Sequence, residues 1–307
     1  MAIIRTVLGD IAPEELGICY PHEHLLGQPP SAYYEADFVL DDEDAAIREL
    51  KLFYEVGGRS VVEMSPPDYM RDAAGMKRVS AASGVHVIAT SGYLKEKFSA
   101  SFINDLSIEQ LTEQFVCEVT EGMDGTDVRA GVIKAASSLD KITPNEERLF
   151  KAAAAAHHAT GTPISTHTEA GTMALEQVEL LRVEGVQPQH VIIGHMDRKL
   201  DWDYHLQVAQ TGVYMGIDQI AKAKYYPDQL RAEFVARLIQ AGYGSQILLA
   251  GDTARRSGWA AYGGKPGFTN ILTNFVPLLK ANGVNEDTIK LLLIDNPARV
   301  LAFTPKM

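Results

Sequence analysis

The chain has 307 residues, with 28 Lys plus Arg against 40 Asp plus Glu, a formal net charge of −12. Hydrophobic residues make up 46% and charged residues 22%. That balance belongs to a globular chain able to bury a large core, and it excludes a disordered one. The acidic excess lacks the basic footprint of a nucleic-acid binder, so no nucleic acid is expected as partner. No window approaches about 18 uninterrupted apolar residues, so no membrane-spanning helix is expected. Met1–Ile11 lacks the apolar core and cleavage site of a signal peptide, which makes a cytoplasmic protein the expectation. The two cysteines, Cys19 and Cys117, lie in separate segments and read as two buried reduced thiols.

In chain order, short β-rich runs alternate with amphipathic stretches. The predicted strands are 17–24, 60–65, 86–93, 129–136, 163–168, 190–197, 212–218 and 246–252. The clearest predicted helices are 42–56, 108–123, 144–159, 173–183 and 227–241. Pro144 and Pro227 sit where a first helical turn tolerates proline, and acids open the helices at 42–44 and 145–147. Eight strands alternating with helices predict an α/β fold with a parallel sheet. No GxGxxG follows the first strand, so a (β/α)8 TIM barrel is favoured over an open nucleotide-binding sheet. With no linker or repeat, residues 1–307 are expected to form one domain.

The residues able to do chemistry fall at the C-terminal ends of these strands, the face where such a barrel carries its active site. Strand 1 ends in Pro21-His22-Glu23-His24. Residues i and i+2 of a strand share a face, so His22 and His24 can share one metal while Glu23 points away. His167 and His195 end strands 5 and 6, and Asp252 ends strand 8. Lys134 lies in the apolar strand Ala130–Ala136. Such a lysine either extends its ammonium to water or, once neutral, reacts with carbon dioxide to a carbamate able to bridge two cations. Glu63 and Asp218 lie late on strands 2 and 7 and read as structural carboxylates or as groups orienting a ligand. His86 and His190 open strands at the wrong face, His157 and His158 lie on a helix, and His205 is placed on a surface helix.

The series His22-x-His24, Lys134, His167, His195, Asp252 resembles the phosphotriesterase family of the amidohydrolase superfamily. Thr6-Val7-Leu8-Gly9, Gly131-Val132-Ile133-Lys134, Gly194-His195 with Asp197-Arg198, and Asn296-Pro297-Ala298-Arg299 extend the likeness end to end. The resemblance implies a distorted barrel with a binuclear centre, usually zinc, with manganese or cobalt as substitutes. It implies His22, His24 and Asp252 on the more buried ion and His167 and His195 on the more exposed one. Carboxylated Lys134 would bridge the two. The opening Ile4 to Glu14 looks closest to the phospho-furanose lactonase branch, so the expected substrate is a small phosphorylated lactone. That branch implies a phosphate grip from Lys222 and Lys224 after strand 7 and from Arg255 and Arg256 after Asp252. Its further tyrosine is replaced here by Gly258, which leaves the grip either one contact short or completed by Tyr262 or Tyr225. Tyr93, ending strand 3, resembles the family's tyrosine near the substrate carbonyl. Asp252 is expected to shuttle the proton, and a homodimer is the expected assembly. The alternatives are a lactonase for unphosphorylated or acyl-homoserine lactones, with promiscuous phosphotriester cleavage, and a non-catalytic binding protein on the same fold.

Overall fold

The computed structural model describes residues 1–306. A short antiparallel hairpin, β1 (Ile4–Thr6) with β2 (Gly9–Ile11), precedes eight barrel strands. These are β3 (Ile18–Glu23), β4 (Gly58–Glu63), β5 (His86–Gly92), β6 (Ala130–Ala136), β7 (Ile164–His167), β8 (Val191–Gly194), β9 (Tyr214–Ile217) and β10 (Ile247–Leu249). They pair in sequence order, all parallel, from β3 to β10. The eight predicted strands and five predicted helices are all present, with ends shifted by a few residues.

Period-2 alternation sorts each strand into two cores. Cys19, Val62, Ile88, Val132, Ile192, Tyr214 and Leu248 fill the barrel interior, where Ile4 and Val300 plug its lower end. Their neighbours Tyr20, Val61, Val87, Ile133, Ile193, Met215 and Leu249 face outward against the helices. Since Val132 points inward, so does Lys134 two residues on, at the upper end. The same rule applied to β3 would turn His22 outward with Tyr20. A register shift between Tyr20 and Glu23 prevents this: three residues of β3 advance there against two of β4. The extra residue is a β-bulge, which reverses the parity and turns both histidines into the barrel mouth.

The seam between β10 and β3 is closed by a side chain. The Glu23 carboxylate accepts from the backbone N–H of Gly251 (2.7 Å) and Thr253 (2.8 Å), and Asp252 N–H donates to the His22 carbonyl (3.1 Å). Asp252 is thereby fixed beside His22. At the far end, Asn296 of the Asn-Pro-Ala-Arg segment donates to the carbonyls of Gly244 and Ile247, anchoring the start of β10. Gly92 is required at the end of β5: φ is +89°, and a Cβ there would overlap the Lys134 carbonyl.

The helices follow their local signals. Asp42 caps the helix Glu43–Glu55 by accepting from Ala45 N–H, and Thr143 with Glu146 forms a capping box on the helix Pro144–Thr160. Pro227 sits just before its helix (Asp228–Gln240) rather than in its first turn. Two expectations fail. Cys117 is exposed, because it lies on the outer face of the helix Ile108–Thr120. His205 is fully buried, its Nδ1 bonded to the Asp201 carbonyl and its ring 4.6 Å from that of Phe234. Among the described residues no helix is long and apolar enough to cross a membrane.

Candidate metal centre and its two-lobed cavity

The strand ends bring His22, His24, Lys134, His167, His195 and Asp252 to one pit, lined in common by all six. Ligand atoms of His22, His24 and Asp252 lie within 4.8 Å of one another, as do those of His22, His195 and Asp218. His24 Nε2 is 3.2 Å and His22 Nε2 3.7 Å from Asp252 Oδ1. His167 Nδ1 is 2.8 Å from His195 Nε2, and His167 Nε2 is buried without a hydrogen-bond partner among the described residues. A buried polar atom left unpaired costs free energy unless something else meets it. Two of the ligand positions carry left-handed backbone, His195 at φ +59° and Asp252 at φ +45°, strain that clusters at functional sites.

The charge states suit a metal. Burial, reinforced by His195, holds the His22 and His167 imidazoles well below their ordinary range, and burial also lowers that of His24. Neutral imidazole is the ligating form. Burial also lowers the Lys134 ammonium to about 8, against the pull of Asp252, Asp68 and Glu63, and its Nζ donates to the Met64 carbonyl at 2.7 Å. At Asp252 burial alone would raise the carboxyl. Lys222 and the neighbouring histidines outweigh it and hold the group well below the usual carboxylate range. The donor set therefore fits divalent cations.

Supporting contacts orient these groups. Asp218 Oδ1 takes the His195 Nδ1 hydrogen at 2.7 Å, the carboxylate–histidine arrangement that fixes a ligand's tautomer. Ser65 Oγ lies 2.8 Å from His24 Nδ1. Glu63 serves backbone instead, accepting from Leu25 and Ser65 N–H. Two groups escaped the sequence reading. Gln219 Nε2 donates to Asp252 Oδ2 at 2.7 Å. The fully buried Arg231 binds Asp197 at 2.7 Å, and Asp197 accepts from the N–H of Asp218 and Gln219, bracing the turn that carries both. A glutamine and a helix arginine carry no signal of this kind in one sequence.

Above the pit the cavity has two lobes, sharing Phe38, His167, His195, Asp252 and Ala254. One, about 430 Å³, is cationic, with Arg198, Lys222, Lys224, Arg255 and Lys265 on its wall. The other, about 530 Å³, is aromatic, with Tyr33, Tyr34, Tyr69 and Phe98. Lys222, Lys224 and Arg255 thus reach the cavity. Arg256 lines neither lobe: it donates to the Val39 carbonyl and pairs with Asp41. Of the two tyrosines weighed against Gly258, Tyr225 lines the cationic lobe, whereas Tyr262 packs on Trp259. Tyr93 is turned away. Its hydroxyl pairs with Gln114 (2.9–3.1 Å) and its ring packs on Phe102 and Phe115. Tyr69 from the turn after β4 faces the pit instead, its ring 5.7 Å from that of His24.

Residues 2–301 match the model of the phosphotriesterase family. A phospho-furanose lactonase of Mycoplasmopsis synoviae is 36% identical, over 98% of this chain and 92% of the relative. A solved lactonase from Listeria monocytogenes is 38% identical with a TM-score of 0.93, covering 98% of this chain and 99% of its own. The Escherichia coli phosphotriesterase homology protein, solved with phosphate in its active site, is 35% identical with a TM-score of 0.91, covering 94% and 99%. With its fold, its pit of ligands and these likenesses, the chain belongs to the phosphotriesterase family.

Proposed function

We propose that this chain is a metal-dependent hydrolase that opens the ring of a lactone carrying a terminal phosphate. The observation that carries the reading is the complete pit of inward ligands beneath a lobe walled by cations. The phospho-furanose lactonase and lactonase among its relatives support the substrate class. His22, His24 and Asp252 would hold one divalent cation, His167 and His195 a second, with carboxylated Lys134 between them. Zinc is the expected metal on imidazole and carboxylate donors. When bound, the cations supply Lewis acidity and a water acidified enough to act as nucleophile near neutral pH.

The chain's own groups do the rest. Asp252, kept anionic, accepts the proton released as water adds to the carbonyl carbon. It returns that proton to the ring oxygen as the C–O bond breaks, leaving a hydroxy acid. Gln219 and Lys222 hold Asp252 Oδ2 in place for both transfers. Tyr69 is positioned to donate its hydroxyl to the carbonyl oxygen. Lys224 draws the anionic end into the cationic lobe and so fixes the ring over the pit. The same reading takes the enzyme as a cytoplasmic chain of one domain that pairs as a homodimer, the dimer alone being inferred from the family resemblance.

The test is a lactone panel, each ring offered with and without its phosphate, alongside metal analysis. A strong preference for the phosphorylated members is expected. Equal or better rates on neutral lactones would reject the phosphate, and fewer than about one ion per chain after careful metallation would point to a binding protein.

A further inference from the structure

Three of the nine histidines meet far from the pit, at the end of the barrel where the strands begin. His157 and His158 lie in the last turn of the helix Pro144–Thr160, and His190 stands directly before β8. Centre to centre, the His157 ring lies 5.1 Å from that of His190 and 5.4 Å from that of His158. Two imidazoles on one tetrahedral zinc hold their ring centres about 5 Å apart, given Zn–N bonds of about 2.0 Å. The histidines of the pit show the same range, 4.5 Å for His167 with His195, 4.7 Å for His22 with His195 and 6.0 Å for His22 with His24.

Rings can also stack at that spacing, and the hydrogen bonds decide between the two. His157 Nδ1 lies 2.8 Å from the Thr162 carbonyl, which accepts only from an N–H. The ring hydrogen is therefore on Nδ1, and Nε2 carries the lone pair. Among the described residues this Nε2 makes no hydrogen bond, and neither does the His190 ring. One nitrogen anchored on a backbone carbonyl and the other bare is how a metal-ligating histidine is held. His158 is turned elsewhere. Adjacent helix residues point about 100° apart, and its Nε2 reaches the Glu184 carbonyl at 2.8 Å, which keeps the exposed ring on the neighbouring helix.

The charge state fits as well. Burial brings His157 down to about 4 and also lowers His190. The Lys306 ammonium, bonded to the His158 carbonyl at 2.9 Å, adds to both shifts. Both imidazoles are thus neutral near pH 7, the ligating form.

We propose that His157 Nε2 and the His190 imidazole form an accessory site for one divalent transition-metal ion, zinc in character, at the base of the barrel and separate from the pit. Imidazole pairs suit zinc, copper and nickel rather than magnesium or calcium. Water fills the remaining positions, so the ion exchanges with the medium instead of being locked in by four protein ligands. When bound, it ties the end of the helix Pro144–Thr160 to the start of β8. The proposal does not depend on the substrate.

The experiment compares zinc-saturated wild type with His190→Gln, His157→Gln and His158→Gln. None of these residues belongs to the pit, whose ions form a constant background. Two readouts are taken in a buffered excess of free zinc: zinc per chain by elemental analysis, and the rise in Tm over protein without that excess. Wild type is expected to hold about one ion per chain more than His190→Gln or His157→Gln, and to gain about 3–5 °C in Tm that both variants lose. His158→Gln should behave as wild type. The site is overturned if wild type carries no more zinc than His190→Gln, if the extra ion leaves Tm unmoved, or if His158→Gln loses the ion as fully as His190→Gln. His190 is half-buried at the surface, so its variant decides the matter even if His157→Gln fails to fold. Failure of the pit to hold its ions, or of the protein to open a lactone, counts against the proposed function and leaves the difference between wild type and His190→Gln to decide this site.

Discussion

Lys134 offers the most quantitative test of the centre. Carbon dioxide adds only to a neutral amine, so carboxylation tracks the deprotonated fraction. An ordinary lysine at pH 7 is neutral in about 0.03% of molecules, whereas one at about 8 is neutral in roughly 9%, some 300-fold more. Burial of Lys134 among Met64, Glu63 and Asp68 thus poises it for the reaction. Between pH 6.5 and 8.5 its neutral fraction rises from about 3% to about 76%, or roughly 24-fold. The assay takes chelator-stripped protein at fixed dissolved carbon dioxide, adds zinc, and follows the return of activity and a ¹³C carbamate resonance across that range. The initial rate should climb by about an order of magnitude and level off above pH 8.5, and Lys134→Gln should show neither signal. A rate flat with pH, or activity returning in full without labelled carbamate, would refute the argument. The displacement also fixes a sign for stability. Between about pH 8 and 10.5 the unfolded chain holds a proton that folded Lys134 has lost, so this group makes the metal-free protein more stable as pH rises through that window.

Asp252→Asn should lower kcat by at least about 100-fold while much of the metal stays bound; near-normal turnover would remove the proton shuttle. Tyr69→Phe and Tyr93→Phe form a contrast. The first should reduce kcat about tenfold with little change in KM, whereas the second should cost about 1 kcal/mol in chemical denaturation and leave kcat/KM within twofold. The reverse pattern would restore Tyr93 to the substrate. Asp218→Asn should weaken metal affinity 10- to 100-fold, read by competition with a chelating dye, because His195 loses the acceptor that fixes its tautomer. Arg231→Met should destabilise the fold by about 3–5 kcal/mol, since it leaves Asp197 charged and unpaired in the core. A loss under about 1 kcal/mol would show that the strut carries no weight.

The sequence by itself determined the barrel and which donor side chains end its strands. Both rest on local signals: apolar period, capping and turn residues, and donor side chains at strand ends. It could not show how His22 and His24 come to face inward, because the bulge at Tyr20–Glu23 exists only in the pairing of β3 with β4. It placed Tyr93 at the substrate by resemblance, whereas the side chain found its hydrogen bond on the helix behind it. The cations show the division most clearly. Lysine and arginine codes near one another in sequence name four charges at 222, 224, 255 and 256. Only the fold reveals which charges meet a carboxylate from the segment 35–41, more than two hundred residues away, and which stay free. A net charge of −12 is a sum over the surface, while the field in one lobe depends on which pairs close, and pairing is a tertiary property.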